Sequence, residues 1–339
     1  MMDERKKQIL ESIIKDYVET AEPVGSRAVV KKHALKLSAA TVRNEMADLE
    51  EMGYLEQPHT SAGRIPSELG FRYYVDCMME KESLTEQEAQ VLHDQLLENM
   101  QEWSMVVERT GHFLSQITKY PSFIIIPPFN LSEFRYLQIL PVEPGKAFIF
   151  LVSDMGTIIH RKIDIPETVK EEDLRSISRI FNQIMRNRRM DEIRKSELQE
   201  LRDTLKRKRR VIDRTLEALE QMLEESGEEK VVISGALNML NEPEFKDLDR
   251  IKKLLAVMEQ DSLWKGLMPD SISEAIDIRI GKENREESLQ EMSLVFTGFK
   301  SFGDVGKIGL MGPIRMEYWK AAGAIEAVRN IVEEMLKRF

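Results

Sequence analysis

The chain has 339 residues, 42% of them apolar and 32% charged, with 59 acids against 49 bases and a formal charge of −10. That length predicts two or three domains, and the composition excludes a disordered chain. No apolar run approaches the roughly 18–20 residues of a membrane helix, the start "MMDERKKQIL" lacks a signal-peptide core, and the single cysteine, Cys77, excludes an intrachain disulfide, so a reducing cytoplasm is the expected location.

From Asp3 to Thr20, Ile9, Ile13 and Tyr17 form one row and Leu10, Ile14 and Val18 the next, the double stripe of an amphipathic helix. "AEPVGS" breaks that pattern, and Ser26 is placed to cap a short helix running to about His33. Ser38 is placed to cap a third helix, with Val42, Met46 and Leu49 facing inward and Gly53 ending it. "YLEQP" reads as a short strand, "PHTSAGRIPS" (58–67) as an irregular loop, and "GFRYYVDCMM" as renewed helix.

Beyond a charged junction near residue 80, "TEQE" has the spacing of a capping box from Thr85 to Glu88, opening a helical stretch to about Lys119. "SFIIIPP" is a short buried strand. "FRYLQILPV", "KAFIFLVS" and "TIIHRKIDI", joined by the turn signals "EPG" and "DMG", read as an antiparallel meander. Val169 to Ser226 is nearly all helical, with Leu198, Leu201, Leu205, Ile212, Leu216, Leu219 and Leu223 on one face. "KVVIS", "SLVFTGF" and "KIGLMGP" read as strands, and 244–260 and Met316 to Phe339 as helices.

Three short helices, a strand, a loop and another structured element give the order of a winged helix-turn-helix. In an acidic chain, Pro23 to Asn44 holds Arg27, Lys31, Lys32, Lys36 and Arg43 with no acid, and Gln57 to Ser67 is also acid-free. With Val42, Met46 and Leu49 turned inward, the third helix presents Ala40 and Asn44 flanked by Thr41 and Arg43 behind its Ser38 cap. Asn bonds adenine, Arg bonds guanine, and Ala and Thr methyl groups touch thymine. The acids Glu45, Asp48, Glu50 and Glu51 come later, so only the N-terminal half, where the helix dipole favours phosphate, is expected to approach DNA. Arg27, Lys31, Lys32 and Lys36 would meet the backbone. In the loop, His59, Thr60 and Ser61 supply donors, Gly63 permits close approach, and Arg64 is the one charged probe, entering a narrow minor groove or neutralising the backbone. The bland reading is a solvated surface helix.

At these residues the chain resembles a known family. "LSAATVRNEMADLEEMGYLEQPHTSAGRIPS", preceded by "EPVGSR" and followed by "GFRYYVD", is similar to the signature of the heat-inducible transcription repressors (HrcA). The match runs from Glu22 to Asp76. A looser likeness extends through "SDMGTIIHR" and "GPIRMEY" at 312–318. The family pattern has Pro where this chain has Ala39 and Thr where it has Ile314. The resemblance implies a dimeric repressor of an inverted-repeat operator upstream of GroE- and DnaK-type chaperone operons, relieved by heat and dependent on the GroEL chaperonin. It implies a multidomain α+β fold of a winged helix-turn-helix, a GAF-like α/β domain with an antiparallel sheet and an inserted α/β dimerisation domain. The order of strands and helices places these at 1–80, at 81–129 with 227–339, and at 130–226, the last holding the three-stranded meander plus helices.

The remaining motifs point nowhere sharp. His33, His59, His93, His112 and His160 are far apart with no cysteine at ligand spacing, so neither metal nor cofactor is expected. "GKIGLMG" at 306–312 lacks the Walker spacing, and no nucleophile–base pair suggests an enzyme. "KRKRR" at 206–210 is either a second nucleic-acid contact or a solvated helix face. The leucine row, whose first four members are Leu198, Leu201, Leu205 and Ile212, is internal core or a dimer seam. Two rival functions stay open: a winged-helix regulator sensing a metabolite through the GAF-like portion, and an enzyme that uses the winged helix for docking.

Overall fold

The computed structural model describes residues 2–60, 62–97, 103–126, 133–154, 158–186, 188–189, 214–215, 217–219, 221–222, 230–245, 247–259, 264, 275–301 and 304–336. Among these residues the fold is α+β, with an N-terminal helical region carrying a small two-stranded wing and two further antiparallel sheets.

Helix α1 (Glu4–Thr20) starts where the Asp3 side chain accepts from Lys6 N, and it ends at Ala21 in the left-handed region. Its predicted stripe is the buried one: Ile9, Leu10, Ile13, Ile14 and Val18 are all buried, and Tyr17 packs half-buried beside them. Helix α2 (Ser26–Lys32) departs from the expected cap. Gly25 occupies the cap position with no side-chain bond, its carbonyl receives Ala28 and Val29 N–H, and Ser26 is the first, buried helical residue. Helix α3 (Ala39–Glu51) is capped by Ser38 as expected, buries Val42, Met46 and Leu49, and gives way at Gly53, whose φ is +81°. Strands β1 (Leu55–Glu56) and β2 (Ile65–Pro66) pair antiparallel to form the wing stem, and α4 (Glu68–Cys77) follows.

Thr85 and Glu88 form the expected reciprocal cap of α5 (Glu86–Leu97), and α6 (Trp103–Thr118) leads into β3 (Ser122–Ile126). The chain then leaves for a separate antiparallel meander of β4 (Phe134–Glu143), β5 (Lys146–Ser153) and β6 (Ile158–Asp164), whose inner face packs on α7 (Glu171–Met185). It re-enters at β7 (Lys230–Ser234), which pairs directly with β3, Ile126 opposite Lys230. Helix α8 (Leu248–Glu259), β8 (Asp277–Ile280), β9 (Met292–Ser301), β10 (Asp304–Pro313) and α9 (Tyr318–Leu336) complete a five-stranded antiparallel sheet of order β7-β3-β10-β9-β8. Strand β8 is too short and too charged ("DIRI") to have been predicted.

Alternation along β3 and β9 covers both sheet faces. Ile124, Val295 and Phe299 join a core shared with α9 and the N-terminal helices, while Phe123, Ile125, Leu294 and Phe296 face a second core around Met239 and Trp264. The glycines of "GKIGLMG" lie in strand β10, where a Cβ at Gly306 or Gly309 would strike the ring of Phe299 or Phe123 at 2.1 Å. Packing, not phosphate, explains them.

The N-terminal region is docked on this sheet, not tethered loosely. Phe71 and Tyr74 of α4 meet Tyr318 and Trp319 of α9 edge-on at 5.8 and 6.0 Å. Arg315 crosses the seam: its Nη1 donates to Val18 O at the end of α1 (2.8 Å), where the helix dipole favours a cation, and it pairs with Glu242 and Glu244. Arg72 bonds the carbonyl of Ile278 and the carboxylate of Glu283. Two clefts of about 670 and 610 Å³ flank Arg315 along the seam. Residues 198–213, which hold Leu198, Leu201, Leu205, Ile212 and "KRKRR", lie outside the described residues.

Candidate nucleic-acid interface

The third helix gets its direction from its cap. Ser38 Oγ accepts from Thr41 N at 3.0 Å and lies 2.9 Å from Thr41 Oγ1, so Ser38 and Thr41 are occupied with starting the helix. Beyond them Ala40, Arg43 and Asn44 are exposed on one side, opposite the buried row of Val42, Met46 and Leu49. A short cap with no acid in the first turn leaves free N–H groups and two base-reading side chains together, an arrangement suited to an anionic duplex.

The expected backbone cations divide into two kinds. Arg27, Lys31 and Lys36 are exposed and, like Arg43, form no ion pair among the described residues. Lys32 is held instead by Asp16 at 2.8 Å and by Glu19. Those two carboxylates raise its pKa above the ordinary lysine value, Asp16 having the larger effect. Asp16 is buried and also meets His33 Nε2 at 2.9 Å, so Lys32 and His33 anchor the end of α2 to α1. As a phosphate contact Lys32 is pre-empted in this conformation.

The wing tip at 58–60 is exposed, with His59 and Thr60 presented to solvent; Ser61 lies outside the described residues. Gln57 holds the loop from within, its Nε2 donating to Thr60 O and Ala62 O at 3.1 Å each. The wing departs from expectation at two residues, Gly63 and Arg64. Gly63 makes room for the chain's own backbone, not for a ligand: a Cβ there would lie 2.3 Å from Val24 O, because residues 24 and 64 exchange both backbone hydrogen bonds at 2.9 Å. Arg64 does not project as a probe. Its Nε and Nη2 hold Glu50 Oε2 at 2.8 and 2.7 Å, leaving its side chain only 19% exposed. Nearby carboxylate outcompetes open solvent for a guanidinium at the wing stem.

Three of the four acids of α3 are paired, and the fourth, Glu51, sits exposed at its last position. Glu50 is paired with Arg64, and Glu45 and Asp48 are paired with Lys6 of α1 at 2.7 and 2.9 Å. Sequence reasoning missed these partners because Lys6 and Glu45 are 39 positions apart and share no local pattern. Among the described residues, no cluster of three or more His, Cys, Asp or Glu could hold a metal, and no helix is long and apolar enough to cross a membrane.

Comparison with known proteins supplies the context for this geometry. The family described as "HrcA protein C terminal domain" matches residues 104–322. The heat-inducible transcription repressor HrcA of Pelotomaculum thermopropionicum is 39% identical over 339 residues, covering 99% of this chain and 97% of that protein. Its counterpart in Desulfitobacterium hafniense is 41% identical, covering 99% and 98%. Among solved structures, a crystal structure of a hypothetical protein aligns over 100% of this chain and 99% of its own, with a TM-score of 0.70 at 22% identity, a likeness of fold.

Proposed function

The chain belongs to the HrcA family of heat-inducible transcription repressors and is a repressor, not an enzyme; on that premise we propose how it engages its operator. Helix α3 enters a major groove and reads bases through Arg43 and Asn44, with Ala40 and Thr41 against thymine methyl groups. Arg27, Lys31 and Lys36 neutralise the backbone beside it, and the wing tip, His59 to Ser61, lies along the adjacent strand. The single observation that carries this reading is the exposed, acid-free first half of α3 beside cations that form no ion pair among the described residues, while Glu45, Asp48 and Glu50 of its second half are paired within the chain.

The repressor acts as a cytoplasmic homodimer on an inverted repeat upstream of GroE- and DnaK-type operons, since two recognition helices related by a two-fold axis match two half-sites. The winged helix spans 1–80, a GAF-like domain 81–129 and 227–339, and an inserted dimerisation domain 130–226. That division is supported by the exit from the large sheet after Ile126 and the return at Lys230 beside it. An apolar outer face of the meander, with Tyr136, Leu140, Val142 and Ile158 exposed around Phe148 and Phe150, supports placing dimer contacts on the insertion. Heat relieves repression because a marginally stable dimer loses its binding-competent state, and the GroEL chaperonin restores it by binding the non-native chain.

Mobility shifts of an inverted-repeat duplex titrated with salt test the proposal. Affinity should fall at least about a hundredfold between about 50 and 200 mM salt, as expected for four or more phosphate contacts; a nearly flat response overturns it. The clefts beside Arg315 favour one second reading, a metabolite that sets DNA affinity from the seam. Large, saturable stabilisation by a small metabolite in thermal melts would select that reading.

A further inference from the structure

The recognition helix carries its own anionic liability, and α1 is built to cancel it. Along α3, Glu45 and Asp48 stand three apart, one turn on the same side, on the flank that faces α1. Between them lies Lys6, whose Nζ reaches Glu45 Oε2 at 2.7 Å and Asp48 Oδ2 at 2.9 Å; Arg5 Nη1 adds a second contact to Glu45 Oε1 at 3.3 Å. Lys6 and Glu45 are 14% and 12% exposed, so this ammonium is engaged by two carboxylates of its own chain and is not presented to solvent. The cap at Asp3, which accepts from Lys6 N, fixes where the first turn of α1 points. Glu45 directly follows Asn44 in sequence, and Asp48 lies about one helical turn beyond it. Left bare, both carboxylates would stand within about one Debye length of the phosphates that α3 approaches.

We propose that Lys6, assisted by Arg5, is a positioning residue for operator binding: it silences the carboxylates of Glu45 and Asp48 so that an acid-bearing helix can enter a groove, and it does not itself touch DNA. The bonds to Glu45 first and Asp48 second hold the Lys6 ammonium above the ordinary lysine range, so the mask persists across working pH. This inference rests on the reading of α3 as the recognition helix.

The test uses the full chain and an inverted-repeat duplex, with binding read by mobility shift at about 0.1 M salt and folding by circular dichroism and thermal melting. Lys6→Gln should weaken binding about five- to tenfold, and Lys6→Gln/Glu45→Gln/Asp48→Asn should recover to within about twofold of wild type. Arg5→Gln, a safer surface change, should weaken binding about twofold and be rescued by Glu45→Gln. A triple variant as weak as Lys6→Gln, with a salt slope reduced by about one, makes Lys6 a phosphate contact and overturns the inference. So does affinity that simply tracks melting temperature across the series, because a mere staple between α1 and α3 is equally lost in the triple variant. Absence of salt-dependent operator binding by the wild type is a different failure, that of the recognition helix itself.

Discussion

Glu50→Gln separates two roles for Arg64, wing pin and DNA probe. In the structure one carboxylate oxygen of Glu50 accepts from both Nε (2.8 Å) and Nη2 (2.7 Å), with the side chains 19% and 34% exposed. Exposed pairs contribute about 0.2–1 kcal/mol and charge-assisted hydrogen bonds somewhat more, so this half-buried pair contributes about 1 kcal/mol. It joins the last turn of α3 to the wing stem, whose backbone is separately tied to Val24. Glu50→Gln should therefore lower stability by about 1 kcal/mol in urea titrations. It should weaken operator binding about fivefold, the equivalent of another 1 kcal/mol, because the wing loses its fixed angle to the recognition helix. Arg64→Ala should do much the same, and the double variant should be little worse than either single change, since both remove one interaction. Unchanged stability with tighter DNA binding in Glu50→Gln would refute the pin, for then Glu50 restrains a probe.

Other changes separate base reading from scaffold. Asn44→Ala should cost about 1–3 kcal/mol of operator affinity and relax base preference at one position per half-site, without a change in melting temperature; selection from randomised duplexes reads this directly. Gly63→Ala forces a Cβ against Val24 O at 2.3 Å, so denaturation should show a loss of about 1–3 kcal/mol with the wing displaced. Arg315→Met leaves Glu242 and Glu244 unpaired at the seam, where burial already pushes the Glu242 carboxyl above its ordinary range; a loss of about 3 kcal/mol and new protease cleavage between residues 77 and 86 are expected. The carboxyls of Asp3 and Glu88 are held below their ordinary values of 3.8 and 4.5, chiefly by backbone N–H groups of Lys6 and Thr85. Their folded values lie below their unfolded ones, so their stabilisation is present above those pH values and is lost as pH falls through the folded pKa; helix content followed by circular dichroism should hold down to about pH 4.5 before declining.

What the sequence made legible was whatever rests on local periodicity or a local cap. The α1 stripe, the Ser38 cap, the Thr85–Glu88 box and the alternating strands of the meander are decided within a few residues by side-chain geometry, and each formed as read. Ser26 failed as a cap because Gly25 reaches the required extended conformation and Ser26 is drawn into the buried side of α2. The site was half legible. Exposure of Ala40, Arg43 and Asn44 follows from the helix period, whereas the pairings of Lys6, Lys32 and Arg64 join residues 13 to 42 positions apart and exist only once the helices pack. An acid-free window told where cations gather, but not which of them the fold would claim. Gly63 shows the same limit: a glycine in a thin loop signals a close approach, and only the tertiary pairing with Val24 reveals to what.

The most direct test of the account is a hydroxyl-radical and base-methylation footprint of the full-length repressor on an inverted-repeat operator, compared with Asn44→Ala. Two symmetric major-groove patches should be protected on one face of the duplex, their centres one helical turn of about 34 Å or a multiple of it apart, with weaker protection of the flanking strands by the wings and one base position per half-site losing protection in the variant. Uniform backbone protection, or a footprint that Asn44→Ala leaves unchanged, would contradict the assignment of α3 as the reading element.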